Sequence, residues 1–335
     1  MEYTVLGKTG LKISRLGFGG IPIQRIDAEG TSRLIDRMVE AGVNYIDTAR
    51  AYTVSEEYLG KALKGRRDQF VLASKCRAES KEQFAAGIDT SLKMLQTDYI
   101  DLYQFHNPSV QDFEALIAPG GALEAMMEAK AAGKVGHIGI TAHSLEVFRR
   151  ALDMDWVETI MFPYNIVESQ GTELIAACQK KNIGFIDMKP LAGGAIEDTD
   201  LALRYVLSNP AVTVVIPGMA AEEELEKNIA ISGNTAPLTE EEQKACEQIR
   251  ARLGNDFCRR CNYCAPCTVG ISIPNVFLFA GYLERYGLAD WARERYSTLA
   301  VKADACVECG DCETRCPYHL PIREKLKKAA EEFGQ

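Results

Sequence analysis

The stretch Asn44-Tyr45-Ile46-Asp47-Thr48-Ala49-Arg50-Ala51-Tyr52 decides how the rest of the chain is interpreted. Its apolar, β-branched beginning predicts a buried strand that ends on the carboxylate of Asp47, and the phenol of Tyr52 follows five residues later on a predicted loop. Two later strands also end on polar side chains, Lys75 and His106. Because the carboxyl ends of barrel strands surround one rim, these four side chains form a candidate acid–base cluster.

Strand and helix patterns alternate through the first 235 residues. Eight strand–helix units follow a short predicted hairpin at Tyr3–Ser14, and eight units in about 220 residues is the size expected of a closed (β/α)₈ barrel. A doubly wound open sheet is the alternative, but it would carry a Gly-x-Gly-x-x-Gly turn after its first strand, and Gly17-Phe18-Gly19-Gly20 has a different spacing. The barrel is therefore preferred, with loops at 107–119 and 191–199 as pocket walls.

Composition limits the class of protein. The chain has 335 residues, of which 47 % are hydrophobic, enough for a full core and for two domains. Its net charge of −9 argues against a nucleic-acid partner, because phosphate binding needs concentrated lysine and arginine. No basic amphipathic segment, no apolar run near the roughly 18 residues that span a bilayer and no leader pattern is found. These features predict a soluble, cytoplasmic protein without a membrane partner.

Cysteine is distributed unevenly. Three of the 11 cysteines lie in the first 250 residues, and the other eight lie between Cys258 and Cys316. This shift predicts a boundary near residue 250, with a barrel over 1–250 and a cysteine-rich domain over 251–335. Dense spacing in a cytosolic chain indicates metal rather than disulfides.

The four polar residues suit the reduction of a carbonyl, which needs a hydride on carbon and a proton on oxygen. Tyr52 can supply the proton, although a free phenol has a pKa of about 10. An ammonium at Lys75 would favour the phenolate and lower that pKa, and Asp47 would hold the ammonium in place. His106 would orient the substrate oxygen or share in proton transfer. Each residue alone could be an ordinary surface or ion-pair group, but their joint position at strand ends favours catalysis.

These residues carry a resemblance to the aldo-keto reductase family. Besides the four polar positions, the segments Gly7–Ser14, Leu16–Gly19 and Ser55–Leu63 resemble the family pattern, and the likeness covers roughly residues 1–235. The resemblance implies a (β/α)₈ TIM barrel on which NADH or NADPH is used to interconvert carbonyls and alcohols. It also implies that Tyr52 is the proton donor and that the other three polar residues support it.

The resemblance further implies a site for the nicotinamide dinucleotide along the strand ends. Met188 stands where the family usually has an aromatic residue against the nicotinamide, and a polarizable thioether can also pack on a ring face. Ile216-Pro217-Gly218 resembles the family's phosphate-binding turn, and Asn228 matches its adenine contact. The implied cofactor residues are Gly19, Thr141, Asn165, Met188, Lys189, Pro190, Leu191, Ile216, Pro217, Gly218, Glu224 and Asn228.

The choice between NADH and NADPH depends on the residues between Gly218 and Asn228. Met219-Ala220-Ala221-Glu222-Glu223-Glu224 stands where the family's basic residues for a 2′-phosphate would lie. Glutamates repel a 2′-phosphate and accept hydrogen bonds from a free ribose hydroxyl. Acidic residues also suit the start of any helix, but the missing positive charge favours NADH.

The last 85 residues carry two cysteine runs. Cys306-x₂-Cys309-x₂-Cys312-x₃-Cys316-Pro317 is the bacterial ferredoxin pattern for a [4Fe–4S] cluster, and it is too dense for zinc, whose ligands come as two separated pairs. Cys258-x₂-Cys261-x₂-Cys264-x₂-Cys267 departs from that pattern by one residue before its fourth cysteine, and Thr268 replaces the proline. Eight cysteines equal the ligand count of two [4Fe–4S] clusters, with a single cluster as the alternative.

Resemblance to two-cluster ferredoxins implies how the ligands are shared. One cluster would take Cys258, Cys261, Cys264 and Cys316, and the other would take Cys306, Cys309, Cys312 and Cys267. The whole chain resembles a subgroup of aldo-keto reductases with such a cysteine-rich tail. Predicted helices at Ile273–Leu283 and Ala289–Leu299 would pack around the clusters.

Three hypotheses for the function follow. The first is an NAD(P)H-dependent carbonyl reductase or alcohol dehydrogenase with an appended iron–sulfur electron-transfer module. The second is an electron-transfer protein whose clusters relay single electrons from a ferredoxin-type partner to an acceptor at the barrel. The third makes the clusters structural or oxygen-sensing. The intact set of four polar residues favours the enzyme, although nicotinamide gives two electrons as hydride whereas a cluster takes one at a time.

Overall fold

The computed structural model describes residues 1–77, 80–254 and 256–334. Within them the chain divides into two compact units. The first consists of residues 1–165, 169–190 and 198–238, and the second of residues 166–168, 191–197 and the chain from Thr239 onward. Residue 250 lies within the first long helix of the second unit, so a domain boundary at that residue stays a prediction.

An antiparallel hairpin precedes the barrel of the first unit. It pairs β1 (Tyr3–Val5) with β2 (Lys12–Ser14), as the sequence predicts. The eight other strands among the described residues form one parallel sheet in chain order. They are β3 (Phe18–Gly19), β4 (Tyr45–Asp47), β5 (Val71–Cys76), β6 (Ile100–His106), β7 (Val135–Thr141), β8 (Thr159–Pro163), β9 (Gly184–Met188) and β10 (Val214–Ile216).

The sheet closes through its first and last strands. Leu16 bridges Val215 and Gly19 bridges Gly218, both in parallel. The amide of Gly17 donates to the carbonyl of Val215 at 2.8 Å. The predicted (β/α)₈ barrel is confirmed, since an open sheet has no such contact between its edge strands.

The strands are buried on both faces. Successive residues of a strand point to opposite faces, and here neighbours fall in separate apolar clusters: Tyr45 and Ile186 in one, Ile46 and Phe185 in the other. The smaller cluster fills the barrel interior, and the larger one lies between sheet and helices. Asp47 follows Tyr45 by two residues and therefore shares the interior face.

Amphipathic helices connect the strands of the first unit. The first begins where the Asp27 side chain accepts from the amide of Gly30 at 2.7 Å, and it ends at Gly42, whose φ of 74° suits glycine. These helices are α1 (Ala28–Ala41), α2 (Ser55–Ala62), α3 (Lys81–Met94), α4 (Val110–Ile117), α5 (Ala122–Ala131), α6 (Leu145–Leu152), α7 (Thr172–Lys180), α8 (Thr199–Leu207) and α9 (Glu222–Ser232).

One segment predicted as a loop contains a helix. Residues 107–119 were expected to be irregular, but α4 occupies most of them. Ser109 and Asp112 form a reciprocal capping box, in which the backbone amide of each residue donates a hydrogen bond to the side chain of the other. The Ser-x-x-Asp spacing was the signal for this helix, so the loop prediction was wrong here.

The second unit is helical. Its two central helices agree with the predicted ranges to within two residues. The helices are α10 (Glu240–Leu253), α11 (Ile273–Glu284), α12 (Ala289–Ser297), α13 (Asp311–Thr314) and α14 (Ile322–Glu332). Across the described parts of both units, every helix is too short or too polar to cross a membrane.

Candidate active site and cysteine centres

Three neighbouring strands carry polar side chains to the C-terminal mouth of the barrel. Asp47 ends β4, Lys75 is the penultimate residue of β5 and His106 ends β6. These strands are consecutive in the sheet, so their ends lie side by side. The side chains of Lys75 and Asp47 form an ion pair that is 2 % and 4 % exposed. The Nζ atom of Lys75 also donates to the carbonyl of Thr48 at 2.9 Å.

Tyr52 completes the group from the loop after β4. It is 9 % exposed, and the Nζ atom of Lys75 lies 5.2 Å from the centre of its ring. The ring of His106 stands edge-on to the phenol, with the ring centroids 6.0 Å apart and an angle of 88° between the planes. The structure therefore brings the four predicted catalytic residues together.

Gln104 is a further member of this group that the sequence interpretation omitted. It is fully buried, and its Nε2 atom donates to Oδ2 of Asp47 at 3.1 Å. Lys75 binds the other carboxylate oxygen, so both oxygens of Asp47 are held. Gln104 precedes His106 by two residues on β6 and thus shares its strand face, which is the signal that would have identified it.

A second buried carboxylate lies close to the ammonium. Glu56, on α2, is 1 % exposed, accepts a hydrogen bond from Oγ of Ser74 at 2.6 Å and pairs with Arg50 at 2.5 Å. Burial lowers the pKa of Lys75, and the charge of Glu56, together with that of Asp47, opposes this shift. The sequence interpretation missed this network, because a glutamate in the first turn of a helix gives no sign that it is buried.

Burial and pairing act in opposite directions on the ion pair. Burial raises the pKa of the Asp47 carboxyl and lowers the pKa of the Lys75 ammonium. Their mutual attraction opposes both shifts, as does the hydrogen bond from Gln104 to Asp47. Each charge therefore depends on the other, and removal of either partner leaves an uncompensated charge in the barrel.

The predicted phosphate-binding turn lies where the barrel closes. Gly19 pairs with Asp47 in register, and its amide donates to the carbonyl of Pro217 at 2.9 Å. A Cβ atom on Gly19 would meet the carbonyl oxygen of Ile216 at 2.9 Å, so the two backbones approach as closely as glycine permits. Gly218, which bridges Gly19, is exposed. The backbone of Gly218 is thus exposed at the point where the cofactor phosphates are expected.

Two predicted cofactor residues lie at the ends of β7 and β8. Thr141 is opposite His106 in the register of β6 and β7. Asn165 follows β8, is fully buried, and donates from Nδ2 to the carbonyl of Lys189 at 2.9 Å. The side-chain amide of Asn165 is therefore held against the segment that follows β9.

The segment after β9 carries the next three predicted residues. Met188 ends the strand and is half-buried. Lys189 adopts a φ of 62°, which turns the chain sharply at the barrel mouth. Pro190 is the last residue of this segment in the first unit, and Leu191 begins a segment of the second unit.

The adenine side of the predicted site is on α9. Asn228 is buried, with 4 % exposed. The Oε2 atom of Glu224 accepts hydrogen bonds from the two amides before the helix, at 2.7 and 3.2 Å. Glu222 pairs with Arg33 at 3.5 Å. Glu224 therefore caps the helix, as the alternative interpretation of the acidic run expected, and Glu223 extends the exposed acidic surface beside it.

Four cysteines line each of two cavities in the second unit. The first cavity is lined by Cys258, Cys261, Cys264 and Cys316. The second cavity is lined by Cys267, Cys306, Cys309 and Cys312. The last cysteine of each run therefore lines the cavity of the other run.

This donor set fits [4Fe–4S] clusters. Each cysteine of such a cluster binds its own iron, so four thiolates spread around one cavity are suitable. In the described ranges, no three His, Cys, Asp or Glu side chains gather as one metal ion would need. Burial raises the pKa of the Cys264 thiol to about 12, whereas a hydrogen bond with Thr268 at 3.3 Å lowers the pKa of the exposed Cys309. Ligation needs thiolates, so iron binding releases these protons.

Protein-family models match two parts of the chain. The model described as "Aldo/keto reductase family" matches residues 15–200 and 196–251. The model described as "4Fe-4S dicluster domain" matches residues 257–321. The second match contains all eight cysteines that line the two cavities.

Individual proteins match the barrel part. The chain is 29 % identical to L-galactose dehydrogenase of Arabidopsis thaliana over 284 residues, which cover 69 % of this chain and 88 % of that protein. It is 30 % identical to the NADH-specific methylglyoxal reductase of Escherichia coli over 231 residues, covering 59 % and 70 %. Among solved structures, an aldo-keto reductase of Bacillus halodurans in its holo form is similar with a TM-score of 0.66 at 27 % identity, covering 74 % of this chain and 96 % of that one.

Proposed function

This chain belongs to the aldo/keto reductase family and carries a 4Fe-4S dicluster domain, and from that premise we propose that it interconverts a small-molecule carbonyl compound and its alcohol with NAD(P)H. The observation that carries the proposal is the group of Tyr52, Lys75, Asp47 and His106 at the mouth of the barrel. A barrel that only docked a partner would have no chemical need of all four.

Tyr52 donates the proton to the carbonyl oxygen of the substrate. The ammonium of Lys75, 5.2 Å from the ring centre, stabilises the phenolate that remains. In the direction of alcohol oxidation the same phenolate accepts the hydroxyl proton. The low exposure of the phenol keeps water from competing for this proton.

The other residues position these two groups. Asp47 holds the ammonium of Lys75, and Gln104 fixes the second oxygen of Asp47. His106 lies edge-on to Tyr52 and binds the substrate oxygen from the adjacent strand end. Proton donor and orienting group thus meet at the place where the carbonyl oxygen binds.

A bound nicotinamide would supply the hydride for the carbonyl carbon. The exposed backbone of Gly218 and the fixed amide of Asn165 support a cofactor site along the strand ends. The residues proposed to hold it are Gly19, Thr141, Asn165, Met188, Lys189, Pro190, Leu191, Ile216, Pro217, Gly218, Glu224 and Asn228.

NADH is the proposed form of the cofactor. The exposed acidic residues that begin α9 disfavour a 2′-phosphate by charge repulsion. A relative with 30 % identity bears the name NADH-specific methylglyoxal reductase, which agrees with this preference.

The second domain is proposed to hold two [4Fe–4S] clusters. Cys258, Cys261, Cys264 and Cys316 line the site for one, and Cys267, Cys306, Cys309 and Cys312 line the site for the other. Because each cluster exchanges single electrons, a ferredoxin-like protein is the proposed electron partner. Thiolate ligands need a reducing compartment, which supports a cytoplasmic location. We assign the barrel function to residues 1–250 and the cluster function to 251–335.

The test is NADH and NADPH oxidation by protein purified without air, with a panel of aldehydes and ketones. We expect turnover with at least one carbonyl class and a higher kcat/KM with NADH than with NADPH. Failure of every carbonyl to accelerate oxidation, in protein that binds NADH, would contradict the reductase proposal. Faster turnover with NADPH would contradict the cofactor assignment alone.

A further inference from the structure

Arg259 lies between two ligand positions of the first cysteine run and is almost completely buried, with 8 % exposed. Its guanidinium is held by backbone carbonyls: Nε donates to Val167 at 3.0 Å, and Nη1 donates to Gly254 at 2.9 Å and to Phe257 at 3.4 Å. The centre of the guanidinium also lies 3.7 Å from the centroid of the Tyr318 ring. These contacts fix the position of the cation tightly.

The charge of Arg259 has no carboxylate partner within the described part of the chain. The guanidinium contacts neutral carbonyls and an aromatic face, which attract a cation without cancelling its charge. The next residue is the contrast. Arg260 pairs with Glu168 at 2.7 Å, with side chains that are 10 % and 0 % exposed. Of these two consecutive arginines, Arg260 has a buried carboxylate partner, whereas Arg259 is held by neutral groups.

A buried charge is costly unless an opposite charge accompanies it. The wall of the first cavity contains Arg259 together with Cys258, Cys261, Cys264 and Cys316. Four thiolates around an iron–sulfur cube carry a net negative charge. The anion that Arg259 requires is therefore the one that this cavity is proposed to bind.

The second cavity has a different charge environment. Its wall contains the exposed carboxylate of Asp311 and two arginines, Arg315 and Arg323. Arg323 is paired with Glu313 at 2.8 Å and its side chain is 45 % exposed. Solvent and carboxylates thus screen the cations of the second cavity, whereas Arg259 acts in a dry environment.

We propose that Arg259 is the built-in counter-charge of the cluster in the first cavity and makes that cluster the first of the two to accept an electron. The inference rests on the proposed cluster sites. A cluster becomes more negative by one charge when it takes one electron, so a fixed cation beside it stabilises the reduced form more than the oxidised form and raises the reduction potential. In the test below, dithionite supplies this electron.

The test is a reductive titration of the full-length holoprotein with dithionite, followed by electron paramagnetic resonance, with iron and sulfide counted beforehand. The variants are Arg259→Gln, Arg259→Lys and the control Arg315→Gln. We expect two reduction waves in the wild type. Arg259→Gln should lower the reduction potential of the earlier wave and leave that of the later wave unchanged. Arg259→Lys should restore most of the lost potential. Arg315→Gln should leave the potential of the earlier wave unchanged.

Two results would overturn the proposal. One is an Arg259→Gln protein with full iron whose two potentials equal those of the wild type. The second result concerns the case in which the Arg259→Gln protein loses iron. If the Arg259→Lys protein then loses as much iron, the shape of the guanidinium is required and not its charge. Failure of the proposed cluster sites gives a separate result, because a wild-type protein with fewer than two clusters is recognised from its iron and sulfide content before any titration.

Discussion

Asp47 and Lys75 are two charges that the barrel keeps away from water. Their side chains are 4 % and 2 % exposed, and burial alone raises the pKa of the Asp47 carboxyl and lowers the pKa of the Lys75 ammonium. Pairs of this kind add little net stability, but loss of one partner is costly. The presence of this pair at the mouth of the barrel is therefore best explained by the positive charge that Lys75 places near Tyr52.

Replacement of Lys75 by methionine should destabilise the protein and abolish turnover. The free energy of unfolding should fall by about 3–5 kcal/mol, because Asp47 is left as an unpaired buried charge. Carbonyl reduction should fall by about 10³-fold, because the phenolate of Tyr52 loses its neighbouring cation. Urea unfolding and NADH oxidation measure the two effects.

The double variant Lys75→Met/Asp47→Leu separates stability from catalysis. Removal of both charges should restore much of the lost stability, since neither partner is left unpaired. Activity should remain as low as in the single variant. Recovery of activity with stability would mean that Lys75 has only a structural role.

Glu223 offers a test of the cofactor preference. The Glu223→Arg change reverses one charge in the exposed first turn of α9. It should raise kcat/KM for NADPH by about 10-fold, which corresponds to about 1.4 kcal/mol, and leave that for NADH nearly unchanged. Glu241→Arg, which makes the same change in the first turn of α10, is the control. Equal effects of both variants would show a general charge effect and contradict the assigned position of the ribose.

Sequence reasoning found the residues whose position is set by a strand end and missed those set by packing. Asp47, Lys75 and His106 each terminate an apolar run, and that pattern predicts their common rim. The burial of Glu56 depends on contacts of α2 with Ser74, 18 residues away. No local pattern encodes such a contact, so the network could be found only from the structure.

At the scale of elements, strands β7 and β8 are joined below the barrel by the carboxylate of Glu158. It accepts hydrogen bonds from Nζ of Lys130 at 2.7 Å and from the amide of Ile138 at 2.8 Å, and it contacts Nδ1 of His137 at 2.8 Å. Burial raises the pKa of Glu158, but these partners outweigh that effect and hold the pKa at about 2, below its ordinary value of 4.5. The carboxylate thus connects two strands and the end of α5.

The Glu158→Gln variant should be less stable at neutral pH by up to about 3 kcal/mol, from about 1.4 kcal/mol for each unit of pKa shift. Because the pKa of Glu158 is lower in the folded than in the unfolded chain, its stabilisation is complete above about pH 4.5 and is lost as the pH falls toward about 2. Urea unfolding at several pH values measures the difference. A difference that stays constant from pH 7 to pH 3 would contradict the role of the ionised carboxylate.

The connection after β6 was predicted as a loop, and this prediction was wrong. A rim residue such as His106 suggests that the following chain is a pocket loop. In α4, however, the capping box of Ser109 and Asp112 starts a helix. The Ser-x-x-Asp spacing is visible in the sequence and predicts this helix start.

At the scale of the whole molecule, the two cysteine runs are interlocked. Cys316 lines the cavity of the first run, and Cys267 lines that of the second. The spacing of each run predicts the ligands but not which cavity the last cysteine lines. The assignment of each last cysteine to the other run's cluster came from the resemblance to two-cluster ferredoxins. The fold of the second unit brings segments about 50 residues apart together, and this is the information that spacing lacks.

Paired cysteine variants test this exchange. Cys316→Ala should lose the same cluster signal as Cys258→Ala, and Cys267→Ala the same signal as Cys306→Ala, because the partners of each pair line one cavity. Iron should fall from about eight to about four atoms per chain in each case. A Cys316→Ala spectrum identical to that of Cys306→Ala would mean that each run keeps its own fourth ligand.

The most direct test of the central claim compares Tyr52→Phe with Tyr58→Phe in carbonyl-dependent NADH oxidation. Tyr58 is a matched control, because Nζ of Lys61 lies 5.7 Å from its ring centre, much as Lys75 lies near Tyr52. We predict that Tyr52→Phe binds NADH normally but loses about 10²–10⁴-fold in kcat, while Tyr58→Phe retains wild-type turnover. Turnover by Tyr52→Phe within a factor of a few of the wild type would contradict the account, because the proton would then come from another group.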